Sequence, residues 1–195
     1  MSKILVIFAH PRLEKSKINR SLISVIPLSS EITFQDLYEL YPDFNIDVEA
    51  EKKLLLEHDI VILMHPFYWY SSPPLLKQWI DMVLEFGWAY GPGGTALKGK
   101  WGFNVISTGG TEEVYQQGAR NRFTIREFLA PFDQTVHLCG MEYLPPFTIQ
   151  GTHRLSDEQF AEKKSNLANL FQGLLESKWS LDELKNVEFL QHLVG

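Results

Sequence analysis

The chain has 195 residues, 45% hydrophobic and 22% charged, a composition that can bury a core in one domain without staples. Its formal net charge of -6 argues against nucleic acid as a main partner, because a surface that follows phosphates is basic; the plainer reading of the acidity is solubility. The single cysteine, Cys139, excludes an internal disulfide and is expected as a packed, inert thiol in a reducing, cytoplasmic setting.

No stretch approaches the length of a membrane span. The opening MSKILVIFAH meets a histidine and a proline rather than a cleavage site, so Ile4–Ala9 reads as a first, fully buried parallel strand and not as a signal peptide. The loop HPRLEKSK follows, then Ile18, Leu22 and Val25/Ile26 at helical spacing. Glu31–Phe34 is a second strand nearer an edge, DLYELYPDFNID a connection, and Val48–Leu56 a short amphipathic helix. Asp59–Met64 is another apolar strand. Ser72-Pro73-Pro74 predicts a helix start with serine as cap and proline at the first helical position. Residues 87–99 form a glycine-rich loop, and Trp101–Ser107 is a strand running into TGG. Phe123–Leu138 is helical in pattern but divided by Pro131. Met141–Ile149 is strand-like, with Pro145-Pro146 suited only to an edge or bulge. Ser156 with Gln159 predicts a capping box for a helix to about Leu174, and Leu181–Leu193 a short final helix.

Strands and helices alternating in this way predict a single-domain, doubly wound α/β sandwich with a parallel central sheet over 1–195. Ligands in such folds bind beyond the carboxyl ends of the strands, which selects three loops. In the first, Ser16, Lys17 and Asn19 open a helix, where backbone N–H groups favour an anion, though serine there is also an ordinary cap and His10 an ordinary structural histidine. The second, HPFYWYSSPP, carries four consecutive aromatics, of which Phe67 and Trp69 best suit a shelf for a flat heterocycle; packing in a core or interface is the alternative. In the third, STGGTEEVYQQGARN, Gly109 and Gly110 allow close backbone approach. Ser107, Thr108 and nearby amides are candidate donors to a ring, and Tyr115 a proton donor. The six histidines show no ligand spacing, so no metal site is expected.

Taken in order, AHPRLEKSKINRSL, HPFYWYSSPPLLKQWID and the run from STGG to MEYLPPF resemble the flavodoxin-like NAD(P)H:quinone reductases and the related ancillary flavoproteins of glutathione-gated potassium efflux systems. The resemblance implies a noncovalent flavin, with His10, Ser16, Lys17 and Asn19 at its phosphate. Pro66, Phe67, Trp69 and Tyr70 would follow one edge of the isoalloxazine, and Ser107, Thr108, Gly109 and Gly110 the other. Tyr115 would stand near the reacting end. It further implies a homodimer with pockets at the subunit interface, and two-electron, ping-pong reduction of a quinone or similar flat electrophile by NAD(P)H. The length favours FMN over FAD. The mammalian enzymes have a histidine after the tyrosine; here Gly118-Ala119-Arg120-Asn121 replaces it, leaving Arg120 to offset charge or receive a cofactor phosphate. The alternative is a regulatory subunit docked on the inner face of the membrane against an efflux transporter.

Overall fold

The computed structural model describes residues 2–195. Strands β1 (Ile4–Phe8), β2 (Ile32–Asp36), β3 (Ile60–Pro66), β4 (Trp101–Ser107), β5 (Glu142–Tyr143) and β6 (Phe147–Ile149) form one parallel sheet in the order β2-β1-β3-β4-β5, with β6 also on β4. That is the flavodoxin-like order, with the chain reversing direction along the sheet between β1 and β3. β1 is central, Ile4 facing Ile32 on one side and Ile60 on the other. Being covered on both faces, its side chains are all fully buried, as a continuous apolar run requires.

Helices α1 (Lys17–Ile23), α2 (Leu37–Leu40), α3 (Val48–Glu57), α4 (Pro74–Val83), α5 (Ile125–Phe128), α6 (Ala130–Leu138), α7 (Asp157–Leu175) and α8 (Leu181–Lys185) lie on the two faces. Strand alternation sorts the core. Leu5, Ile7 and Leu63 pack with Leu55, Trp79 and Val136, while Ile4, Val6 and Ile62 pack with Leu22, Leu170 and Phe171. Each such side chain is worth about 1.5–3 kcal/mol when fully buried, so the two cores dominate the energetics of the fold.

The structure corrects several boundaries. β2 extends to Asp36, whose carboxylate caps the single-turn α2 through the Tyr38 N–H; this segment was expected to be a plain connection. Pro73, not Ser72, occupies the cap position of α4, with no side-chain cap bond. The break in 123–138 falls at Leu129, and Pro131 sits in the first turn of α6, where a missing N–H costs nothing. Residues 141–149 form two short strands separated at the prolines, and the tail is α8 plus a separate turn of 3-10 helix, Leu190–Leu193. The box of Ser156 with Gln159 caps α7 as expected. Cys139 is free and buried, and burial pushes its thiol up, away from reactivity. No helix among the described residues is long and apolar enough to cross a membrane.

Candidate functional site

The carboxyl ends of β1, β3, β4 and β6 open onto two adjoining cavities that share Phe67 and Gly109. The larger, about 720 Å³, lies over the first loop and is lined by His10, Ser16, Lys17, Asn19, Pro66 and Ser107 among others. Ser16 caps α1: its Oγ accepts from the Asn19 N–H at 3.2 Å and from Asn19 Nδ2 at 3.0 Å. Asn19 in turn accepts from the Ser107 hydroxyl at 3.2 Å, which ties the loop to the end of β4. Asn19 is therefore committed to shaping the loop. Ser16, having accepted twice, keeps its own O–H for a ligand.

His10 is buried, and its Nδ1 accepts from the Arg12 N–H at 3.1 Å, so a neutral ring carries its proton on Nε2, 3.4 Å from the Tyr68 hydroxyl. Burial lowers its pKa, only partly offset by its backbone hydrogen bond and by Glu14, which keeps that neutral donor form. Arg12 and Lys15 join Lys17 around the same cavity, a local cation cluster on an acidic chain. The sequence reading had named only Lys17.

The smaller cavity, about 400 Å³, lies between the aromatic loop and the loop after β4. Ser71 N–H donates to the Tyr68 carbonyl at 3.0 Å, and Trp69 and Tyr70 have φ of 49° and 64°. Two successive left-handed residues make this a type I′ turn, a geometry usually given to glycine or asparagine. Aromatic residues in it are strained, and such strain concentrates at functional sites. The four rings divide: Phe67 is buried edge-on to Tyr70, Tyr115 and Phe128, Tyr68 and Tyr70 are partly open, and Trp69 is 92% exposed.

Across the cavity, Thr108 has both of its donors engaged within the chain. Its N–H donates to the Ile149 carbonyl at 2.9 Å and its hydroxyl to the Gly110 carbonyl at 2.7 Å, so both donors serve the turn. Among the described residues the N–H groups of Trp69, Tyr70, Gly109 and Gly110 find no acceptor, and these residues line the cavity. Gly110 is tightly constrained, since a Cβ there would stand 2.9 Å from the Tyr115 ring. Tyr115 is buried, which raises its pKa and keeps the phenol protonated. Arg120 lines the outer wall with Asn121.

Sequence reading missed a fourth loop. After β6, Gly151 N–H donates to the Gly110 carbonyl at 2.8 Å and Thr152 N–H to the Thr108 carbonyl at 3.0 Å. This zipper places Thr152 and His153 on the larger cavity and Arg154 on the smaller. The available signal was positional: β6 ends at the same rim as β1, β3 and β4.

Comparison with known proteins agrees with the geometry. An uncharacterised NAD(P)H oxidoreductase of Bacillus subtilis is 48% identical over 82% of this chain and 81% of its own length. The glutathione-regulated potassium-efflux system ancillary protein of Salmonella newport is 42% identical over 82% of this chain and 87% of its own. The general stress protein 14 of Treponema denticola, solved in complex with FMN, superposes with a TM-score of 0.81 at 35% identity, covering 91% of this chain and 99% of that one. An NADPH-quinone reductase from P. pentosaceus superposes with a TM-score of 0.77 at 33% identity, covering 95% and 99%. A family model described as the flavodoxin-like fold matches residues 2–171, and with the strand order and the rim of loops already in place, the chain belongs to that family.

Proposed function

We propose that this chain is a flavin-dependent oxidoreductase that passes electrons from NAD(P)H to a quinone or similarly flat acceptor. The observation that carries this is the pair of joined cavities: one lined by cations and hydroxyl donors, the other by a strained aromatic turn and unpaired backbone N–H groups. That donor set fits FMN, with its phosphate at Ser16, Lys17 and His10 and its ring system between Phe67, Trp69, Tyr70 and the Gly109-Gly110 turn. When bound, the flavin accepts a hydride equivalent from the nicotinamide and returns it to the acceptor.

The protein contributes position and charge. Backbone N–H groups face the edges of a planar guest, where its carbonyl and ring-nitrogen acceptors lie, and need no reorganisation to donate. Tyr115, held protonated by burial, offers an O–H at the inner end of the cavity. Arg120 at the outer wall favours negative charge developing beneath it. Donor and acceptor would each need the open face of the same flavin, so they would use it in turn, which is ping-pong behaviour. The relatives named NAD(P)H oxidoreductase and NADPH-quinone reductase support both partners of this reaction. Stopped-flow absorbance of the FMN-loaded protein tests it: NAD(P)H should bleach the visible flavin band and a benzoquinone should restore it. Flavin that stays oxidised in the presence of both NADH and NADPH would sink this reading.

The similarity to a potassium-efflux ancillary protein favours a second reading, a flavoprotein subunit that modulates a transporter. Tight FMN binding with bleaching too slow for turnover, together with activation of a reconstituted efflux system, would select it.

A further inference from the structure

Arg154 stands in a wall shared by two cavities. On one side is the smaller flavin cavity; on the other lies a polar cavity of about 390 Å³, bounded by Thr111–Glu113, the end of β6 and the first turns of α7. No carboxylate comes within ion-pair distance of Arg154 among the described residues, although Glu113 feels its charge. A cation between two cavities without a partner of its own is suited to an anion that bridges them.

The far cavity is built from hydrogen-bonding groups. Its floor is a chain in which Gln191 Nε2 donates to Thr148 Oγ1 at 2.8 Å and Gln191 Oε1 accepts from the Thr148 N–H at 3.0 Å. Gln150 Nε2 donates to the same hydroxyl at 3.2 Å, and Gln150 Oε1 is left buried with no partner. An unpaired buried amide atom is costly to the fold, a cost that a polar guest reached by a small side-chain turn removes. Leu155 supplies an apolar surface, and Glu112 and Glu162 supply acceptors for hydroxyl groups.

We propose that this cavity seats the adenosine half of the nicotinamide dinucleotide, with Arg154 holding the pyrophosphate between the two cavities and the nicotinamide end in the flavin cavity. The assignment rests on the redox reading above and extends it to how the donor is recognised. Leu155 offers a face to the purine, the carboxylates accept from ribose hydroxyls, and Arg154 at the junction offsets part of the phosphate charge.

The test compares a whole donor with a truncated one on the FMN-loaded protein. NADH should have a KM about tenfold lower than reduced nicotinamide riboside, which lacks both phosphates, at similar kcat, the advantage expected of a charge-assisted phosphate contact. Arg154→Ala, on an exposed side chain, and Gln150→Leu should each erase most of that advantage. Calorimetric titration with ADP-ribose gives a readout apart from turnover: Arg154→Ala should weaken its binding about tenfold. Equal KM values for the two donors, or an advantage that survives both substitutions, overturns this assignment while leaving the oxidoreductase intact. Failure of both donors to bleach the flavin overturns the oxidoreductase reading and this assignment with it.

Discussion

His65 is buried at the end of β3, stacked on Phe132, and each of its ring nitrogens has a partner. The Pro66 carbonyl can only accept, so Nδ1 donates to it at 3.0 Å and Nε2 accepts from Asn104 Nδ2 at 3.1 Å; Tyr143 donates to Asn104 Oδ1 at 2.6 Å. The Pro66 carbonyl also receives the Tyr68 N–H at 3.1 Å, so this chain of side chains steadies the base of the aromatic turn. Burial pushes the His65 pKa down to about 4, against 6.5 for the free residue, with the Pro66 bond opposing. Between those values the unfolded chain takes up a proton that the folded one refuses. Stability is therefore complete above the unfolded pKa and falls as pH drops through the window, by about 3 kcal/mol in all at about 1.4 kcal/mol per pH unit. Urea midpoints measured across this range should fall with acid in the wild type and fall less steeply in His65→Gln. Equal slopes would show that another group governs acid stability. None of this was legible in HPF, where a histidine before a proline looks like part of the loop.

Elements are held to one another by similar devices, and Glu51 is the clearest case. It is fully buried on α3, where its carboxylate accepts from the Tyr41 hydroxyl at 2.7 Å and from Trp79 Nε1 at 2.8 Å, joining α3 to the end of α2 and to α4. Glu51→Ala strands two donors in the interior, and at about 1–3 kcal/mol each it should cost about 2–6 kcal/mol in a urea or thermal melt. Because Tyr41, Glu51 and Trp79 line neither cavity, FMN affinity of the folded fraction should be unchanged; a matching loss of affinity would mean that α3 and α4 also set the shape of the site. The same scale shows what the sequence could disclose. β1 and the first five residues of β3 were readable because strands buried on both faces are continuous apolar runs with nothing to confuse them. α2 was not, since a single turn capped by Asp36 is too short to show a helical period. The loop at 151–155 was missed for a different reason. Nothing local marks Arg154 as a site residue, and only the pairing of Gly151 and Thr152 with the loop after β4 brings it to the cavity.

At the scale of the whole molecule the question is what covers the exposed rings. Trp69 is 92% exposed in a strained turn, Tyr70 stacks on Phe128 at 4.9 Å, and Phe123 meets Phe128 edge-on at 5.6 Å, which makes an aromatic strip along the lip of the smaller cavity. On the same side of the sheet Met82 and Phe86, at and beyond the end of α4, and Leu138 on α6 are also exposed. Scattered apolar residues need no explanation, but a contiguous strip beside a cavity that is open on that side marks an interface. We propose a second copy of the chain as its cover, since a symmetric pair would close both cavities at once. Sedimentation of the FMN-loaded protein at micromolar concentration should then give twice the mass of one chain. Trp69→Ser combined with Phe123→Ser should shift the equilibrium toward single chains by at least about 1,000-fold, because aromatic residues at interface centres are worth about 2 kcal/mol or more each. Turnover should fall with dimer content as the protein is diluted, since each cavity would lose one wall. A wild-type protein that sediments as a single chain and turns over at full rate would show that the strip serves another partner, and that one chain builds the whole site.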